Sequence, residues 1–146
     1  MQKNKSTTPW LRPGVKALIV NQGKILMVKE RIEGRIIHDF PGGGVDYGED
    51  LKKALKREVF EEIGLEIKIE KAVGNWSFIL EKRKVQVVCM GYQCALNGNG
   101  KIDLNNNPAD EDIFEVLWFT KEEILADADN LLRAEGMKEA VENLVI

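Results

Sequence analysis

Between Gly43 and Leu65 the chain reads GGVDYGEDLKKALKREVFEEIGL, and no other stretch restricts its fold so tightly. The segment from about Glu49 to Glu62 has the character of a helix, and Gly64 is placed to stop it in the left-handed region. Such a helix carries Glu58, Glu61 and Glu62 near its C-terminus, where carboxylates oppose the macrodipole, and Glu58 repels Glu62 across one turn. Each conflict costs about 0.2–1 kcal/mol. A fold that keeps them asks for a compensating cation.

At about 100° per residue, with Leu51 as zero, Glu58 points to about −20°, Glu62 to about +20° and Glu61 to about −80°. Lys52, Lys53 and Lys56 fall between about 100° and 200°, so the signs are segregated and not paired four residues apart. The acidic side also carries Leu51, Ala54 and Leu55, which makes it the border of a packed face; a solvated charged helix would mix its charges. Three hard oxygen ligands on one wall suit Mg²⁺ or Mn²⁺. Just upstream, Phe40-Pro41-Gly42-Gly43-Gly44 ends a strand in a turn whose glycines permit close backbone approach, able to aim carbonyls at a metal or amides at phosphate.

Gly43, Glu49, Arg57, Glu58, Val59, Glu61, Glu62, Gly64 and Leu65 fit the spacing G-x5-E-x7-R-E-U-x-E-E-x-G-U, with U a bulky aliphatic, and on these residues the chain resembles the Nudix hydrolase family. A chance match at a given start is on the order of 10⁻⁹. The flanks agree: a strand pair, the Phe-Pro-Gly-Gly entry, and Trp118-Phe119-Thr120 running into an acidic helix start. The resemblance implies an α/β fold, a mixed β-sheet between helices in an α/β/α sandwich. It also implies Mg²⁺- or Mn²⁺-dependent hydrolysis of a phosphoanhydride in a nucleoside diphosphate derivative. By the same resemblance Glu58, Glu61 and Glu62 are metal ligands, the Gly42 carbonyl is a further one, and Glu61 or Glu62 bridges metals or takes the proton of the attacking water. Many relatives complete the site with an acid from a distant loop; here Glu111 and Asp112, then Glu115, are the candidates, against a plain solvated turn. Arg57 and Glu49 join the catalytic set as a brace, a buried ion pair holding loop to helix.

The 146 residues, 44% apolar and 31% charged, are enough for one core. No run of about 18 apolar residues marks a membrane span. The first 13 residues lack the apolar core of a secretory signal and read as a loose tail, leaving 14–146 as a single domain. Cys89 and Cys94 face opposite sides of a strand, so no bridge joins them, and a reduced cytoplasmic protein follows. A net charge of −3 disfavours nucleic acid as a partner; a small nucleotide suits the site, and a homodimer is left open.

Residues 15–20 and 25–29 read as strands joined at Asn21-Gln22-Gly23. Residues 31–37 read as a polar connection, 66–80 and 85–95 as long strands, 113–119 as a final strand, and 121–126 and 132–144 as helices. Lys29, Arg31 and Arg35 are candidates to receive the phosphate chain, or simply an exposed edge. Trp76 and Phe78 alternate onto one face and either stack on a base or pack in the core. His38 is given a structural or substrate-contact role. Residues 77–84, SFILEKRK, lack the proline of ADP-ribose enzymes and the tyrosine of dinucleoside polyphosphate enzymes. Exclusion favours a nucleoside triphosphate pyrophosphohydrolase. An ADP-ribose or nucleotide-sugar pyrophosphatase is the alternative, an RNA 5′-end pyrophosphohydrolase a third reading. A non-catalytic nucleotide-sensing domain is opposed by the complete set of acids.

Overall fold

Strand β1 (Trp10–Asn21) organises the molecule, because it finds partners along both edges. Its apolar run from Val15 is buried, with Lys16 among it, as befits a strand covered on both faces. In the computed structural model, which describes residues 8–105 and 112–146, the other elements follow in order: β2 (Lys24–Ile32), β3 (Arg35–Asp39), β4 (Gly42–Gly44), α1 (Leu51–Ile63), β5 (Ile67–Leu80), β6 (Val85–Leu96), β7 (Ile113–Thr120), α2 (Lys121–Ala126), α3 (Ala128–Leu131) and α4 (Glu135–Glu142).

The strands form one mixed sheet in the order β3-β2-β1-β6-β5, with β4 added to β1 and β7 to β2. β1 runs parallel to β6 from Trp10↔Val85 to Ile19↔Cys94. Its other edge takes β4 antiparallel at Gly14↔Gly44 to Lys16↔Gly42, then β2 at Val20↔Ile25. Glycines in β4 lie close against this edge: at Gly42, with φ 142°, a Cβ would run into the Val15 carbonyl. The sheet separates two cores. Ala54, Leu55, Val59 and Ile63 of α1 pack on one face with Val15, Ala17 and Cys94; Ile124, Met137, Ala140 and Val141 of the C-terminal helices pack on the other with Leu18, Phe40 and Cys89. The α/β/α sandwich expected from the sequence is the observed architecture. Among the described residues no helix is long and apolar enough to cross a membrane.

Several boundaries differ from expectation. Residues 10–13, read as loose tail, are strand, held by main-chain pairing to Val85–Val88 that sequence spacing does not reveal. The polar connection at 31–37 is instead a hairpin, β2 turning through Glu33 (φ 51°) and Gly34 (φ 79°) into β3. α1 begins at Leu51, since Asp50 caps it by accepting from the Lys52 and Lys53 amides, each at 3.1 Å. Three short helices replace the expected two at the C-terminus. Cys89 and Cys94 are free thiols in different cores, and burial raises them to about 11 and about 12.

Candidate active site

The acid wall is built by α1 and the loop that enters it. Asp50 starts the helix and Gly64, in the left-handed region at φ 74°, ends it with its amide on the Phe60 carbonyl. Between these caps Glu58 and Glu62 are turned inward, 8% and 4% exposed, while Glu61 stands at the border. The packed acidic face is therefore present, although Leu51 itself is exposed. Glu62 accepts from the Gly42 amide at 2.8 Å, which ties the helix to β4. Gly43 lies so close to Glu58 that a Cβ would overlap its carboxylate. The two glycines thus have distinct tasks: one lets backbone meet backbone, the other makes room for a carboxylate.

Arg57 organises the acids. It grips Glu49 with two bonds, Nε to Oε2 at 2.7 Å and Nη2 to Oε1 at 2.9 Å, the fork geometry guanidinium is suited to. Its Nη1 reaches both Glu58 and Glu61 at 3.1 Å, and Nη2 lies 3.4 Å from the Gly44 carbonyl. Glu49 in turn accepts from the Asp46 amide, closing the loop before the helix. The hydrogen bonds from Arg57 hold the Glu49 carboxyl down to about 2, and Glu49 foremost keeps the Arg57 pKa above its ordinary value. The expected brace is there, half-exposed and not buried.

A divalent cation fits this chemistry. The donors are hard oxygens, two of them on inward-turned glutamates, and one arginine answers the three carboxylates of Glu49, Glu58 and Glu61, while Glu62 is held by the Gly42 amide. Gly43 makes room for the Glu58 carboxylate, which any side chain there would displace. Among the described residues no three acids converge as a ready cage, because Arg57 stands between Glu58 and Glu61.

Against the glycine loop lies a cavity of about 400 Å³. Its lining includes Glu62, Gly42, Gly43 and Gly44, then Arg12, Lys16, Arg31, Arg83 and Arg133, and the apolar Phe78, Leu80 and Val87. Lys16 and Asp39 form its deep part, paired at 3.0 Å, with Arg133 on the same Asp39 oxygen at 2.6 Å. Burial works against both charges. Even so, Asp39 and then Glu62 raise the Lys16 pKa, while Lys16 and Arg133 hold Asp39 low.

Of the residues proposed to meet substrate, Arg31 and Phe78 line this cavity. Lys29 and Arg35 do not; Lys29 is drawn to Glu115 at 3.5 Å and Arg35 lies exposed on β3. Trp76 is a core residue, packed edge-on to Phe40, so it offers no face to a base. Phe78 has one face covered by the Arg133 guanidinium, 4.2 Å from the ring centre. Asp112 is bonded to Arg31 at 3.2 Å, and Glu111 lies outside the described residues. His38 sits edge-on to Phe119 on β3, its pKa lowered by burial and then by Lys29. Sequence reasoning overlooked Arg12, Lys16, Arg83 and Arg133. Lys16 alone left a trace, as the one charge inside the apolar run Val15 to Val20.

Comparison with known proteins places this geometry. The family profile described as NUDIX domain matches residues 10–142. Nudix hydrolase 25 of Arabidopsis thaliana is 30% identical over 137 residues, covering 82% of this chain and 78% of that protein. An RNA pyrophosphohydrolase of Edwardsiella ictaluri is 38% identical over 89 residues, 55% of this chain and 49% of the relative. The chain thus spans about half the length of the RNA pyrophosphohydrolases it matches. Among solved structures, the MutT protein of Methanosarcina mazei shares the fold at a TM-score of 0.74 and 24% identity, over 94% of each chain. An ADP-ribose pyrophosphatase of Streptococcus suis gives 0.59 at 26% identity, over 92% of this chain and 91% of the other. With its profile matched from end to end of the sheet and its acid wall intact, the chain belongs to the Nudix hydrolase family.

Proposed function

We propose that this chain is a divalent-metal-dependent pyrophosphohydrolase that cleaves a phosphoanhydride bond in a nucleoside 5′-triphosphate. The observation that carries this reading is the juxtaposition, across one glycine loop, of the acid wall of α1 and a cavity lined by five basic and four acidic side chains, with Glu62 and Gly42 common to both. Glu58, Glu61 and Glu62 would hold Mg²⁺ or Mn²⁺, with the Gly42 carbonyl alongside them. Bound there, the cation would neutralise charge building on the phosphate and lower the pKa of the attacking water.

The chain's own residues do the rest. Glu61, at the border of the wall, is the side chain open enough to accept a proton from water, while Arg57 keeps it aimed. Arg57 and Glu49 fix the loop, so the donors need no reorganisation as the bond breaks. Arg12, Arg31 and Arg83 offer positive charge along the cavity to the triphosphate.

A 5′-triphosphate on RNA is the second reading, favoured by the relatives named RNA pyrophosphohydrolase and by the five basic side chains of the cavity. The test is a screen of nucleoside triphosphates, ADP-ribose, nucleotide sugars and triphosphorylated RNA with Mg²⁺ or Mn²⁺, identifying products. Nucleoside monophosphate and pyrophosphate from free triphosphates are the expected result, with Glu61→Gln slower by about 10²–10⁴-fold while folded. Turnover of RNA alone would shift the reading to the second. No turnover of any compound would sink both.

A further inference from the structure

The deep part of the cavity has an unusual hydrogen-bond inventory. Asp39, its buried acid, has both oxygens engaged: Oδ1 accepts the Phe40 amide at 2.8 Å, and Oδ2 accepts Lys16 and Arg133. The cations are not used up in the same way. Lys16 has three N–H bonds and gives one to Asp39. Arg133 gives Nη2 to Asp39, but among the described residues its Nε is buried with no hydrogen-bond partner and its Nη1 makes no hydrogen bond. Lys16 and Arg133 thus keep N–H groups beyond those that Asp39 takes, while Glu62 and Glu30, which line the same cavity, also draw on the Lys16 charge.

One part of the cavity wall is apolar. Phe78, Leu80, Val85 and Val87 line the same cavity, and the Arg133 guanidinium lies over the Phe78 ring. A phosphate gains nothing from such walls. A nucleobase does, because its faces are apolar and only its edge needs partners. The edge that a guanidinium and an ammonium satisfy has adjacent acceptors. Guanine presents O6 beside N7, whereas adenine presents a donating amino group beside N7. An adenine there would set its amino group against cations, leaving buried donors without acceptors.

Resting on the triphosphate reading above, we propose that this cavity selects a guanine base, with Arg133 and Lys16 donating to its O6 and N7. The phosphates then extend past the glycine loop toward Glu62, which lines the cavity, and the other acids of α1 beyond it.

Two measurements test it. One compares kcat/KM for GTP and ATP. The other compares binding of GMP and AMP by calorimetry without metal, and so does not depend on turnover. A preference for guanine of about tenfold or more is expected in both. Arg133→Gln, whose amide both donates and accepts, is expected to bring both ratios close to one; the Lys16–Asp39 pair survives in it, and its melting curve reports the fold. On the unaltered protein, 7-deaza-GMP, which lacks the N7 acceptor, is expected to bind about tenfold more weakly than GMP. Equal binding of GMP and AMP, or of GMP and its 7-deaza form, overturns the proposal. So does a guanine preference untouched by Arg133→Gln in a folded protein. Guanine-selective binding without turnover of any triphosphate would instead overturn the hydrolase reading and leave this one standing.

Discussion

At the scale of single residues, Gly42 and Gly43 are neighbours with different failure modes. A Cβ at Gly42 meets the backbone of β1 at a φ of 142°, so Gly42→Ala is expected to cost roughly 3 kcal/mol or more, read as a lower urea midpoint. A Cβ at Gly43 meets only the end of the Glu58 side chain, so Gly43→Ala is expected to stay folded yet lose about tenfold or more in kcat as the carboxylate is displaced. Equal stability losses in the two variants would contradict this division. The Glu49 brace makes a separate claim about pH. A carboxyl held down in the fold adds stability above its ordinary value and loses it as pH falls toward the folded value. The stability gap between the native protein and Glu49→Gln is therefore expected to be constant in neutral solution. It should narrow between 4.5 and about 2, the window set by Arg57.

At the scale of elements, α1 was the most legible part of the chain, since its stop at Gly64, its segregated charges and its acids are all local to one stretch. Asp50→Ala removes acceptors from two amides and is expected to cost about 1 kcal/mol by denaturant unfolding, with the acids still in register. The β2–β3 hairpin was not legible, for a physical reason. Arg35 and Ile36 of β3 are exposed and burial rises only toward Asp39, so no alternating pattern is impressed on the sequence. The same limit explains the placement of Lys29, which its spacing put beside Arg31 in the phosphate set. Only the pairing of β2 with β7 brings Glu115 opposite it. The brace between Glu49 and Arg57 could be anticipated from the motif; the reach of Arg57 to Glu58 and Glu61 as well needed coordinates.

For the whole molecule, net charge proved a poor guide to local field. The chain carries −3 overall, yet one cavity is lined by five cations, from β1, β2, the β5–β6 turn and the approach to α4, against the four acids Glu30, Glu33, Asp39 and Glu62. Association with a polyanionic substrate is expected to weaken as salt rises despite the acidic total, read as a KM for triphosphate that climbs with ionic strength. The thiols give the complementary test of the sheet as a divider. Both cysteines are expected to resist a thiol reagent in the native protein and to react once unfolded.

The parallel pairing of β1 with β6 also sets an order of events in time. A growing chain that has just passed Leu65 already contains the whole acidic motif, but the glycine loop opposite it rests on a strand whose far edge is still bare. Trp10 must wait for Val85, and Ile19 for Cys94, before that edge is filled. Contacts so distant along the chain form late and slowly. The residues that bear the chemistry are thus made early and become a site only once β6 has been added.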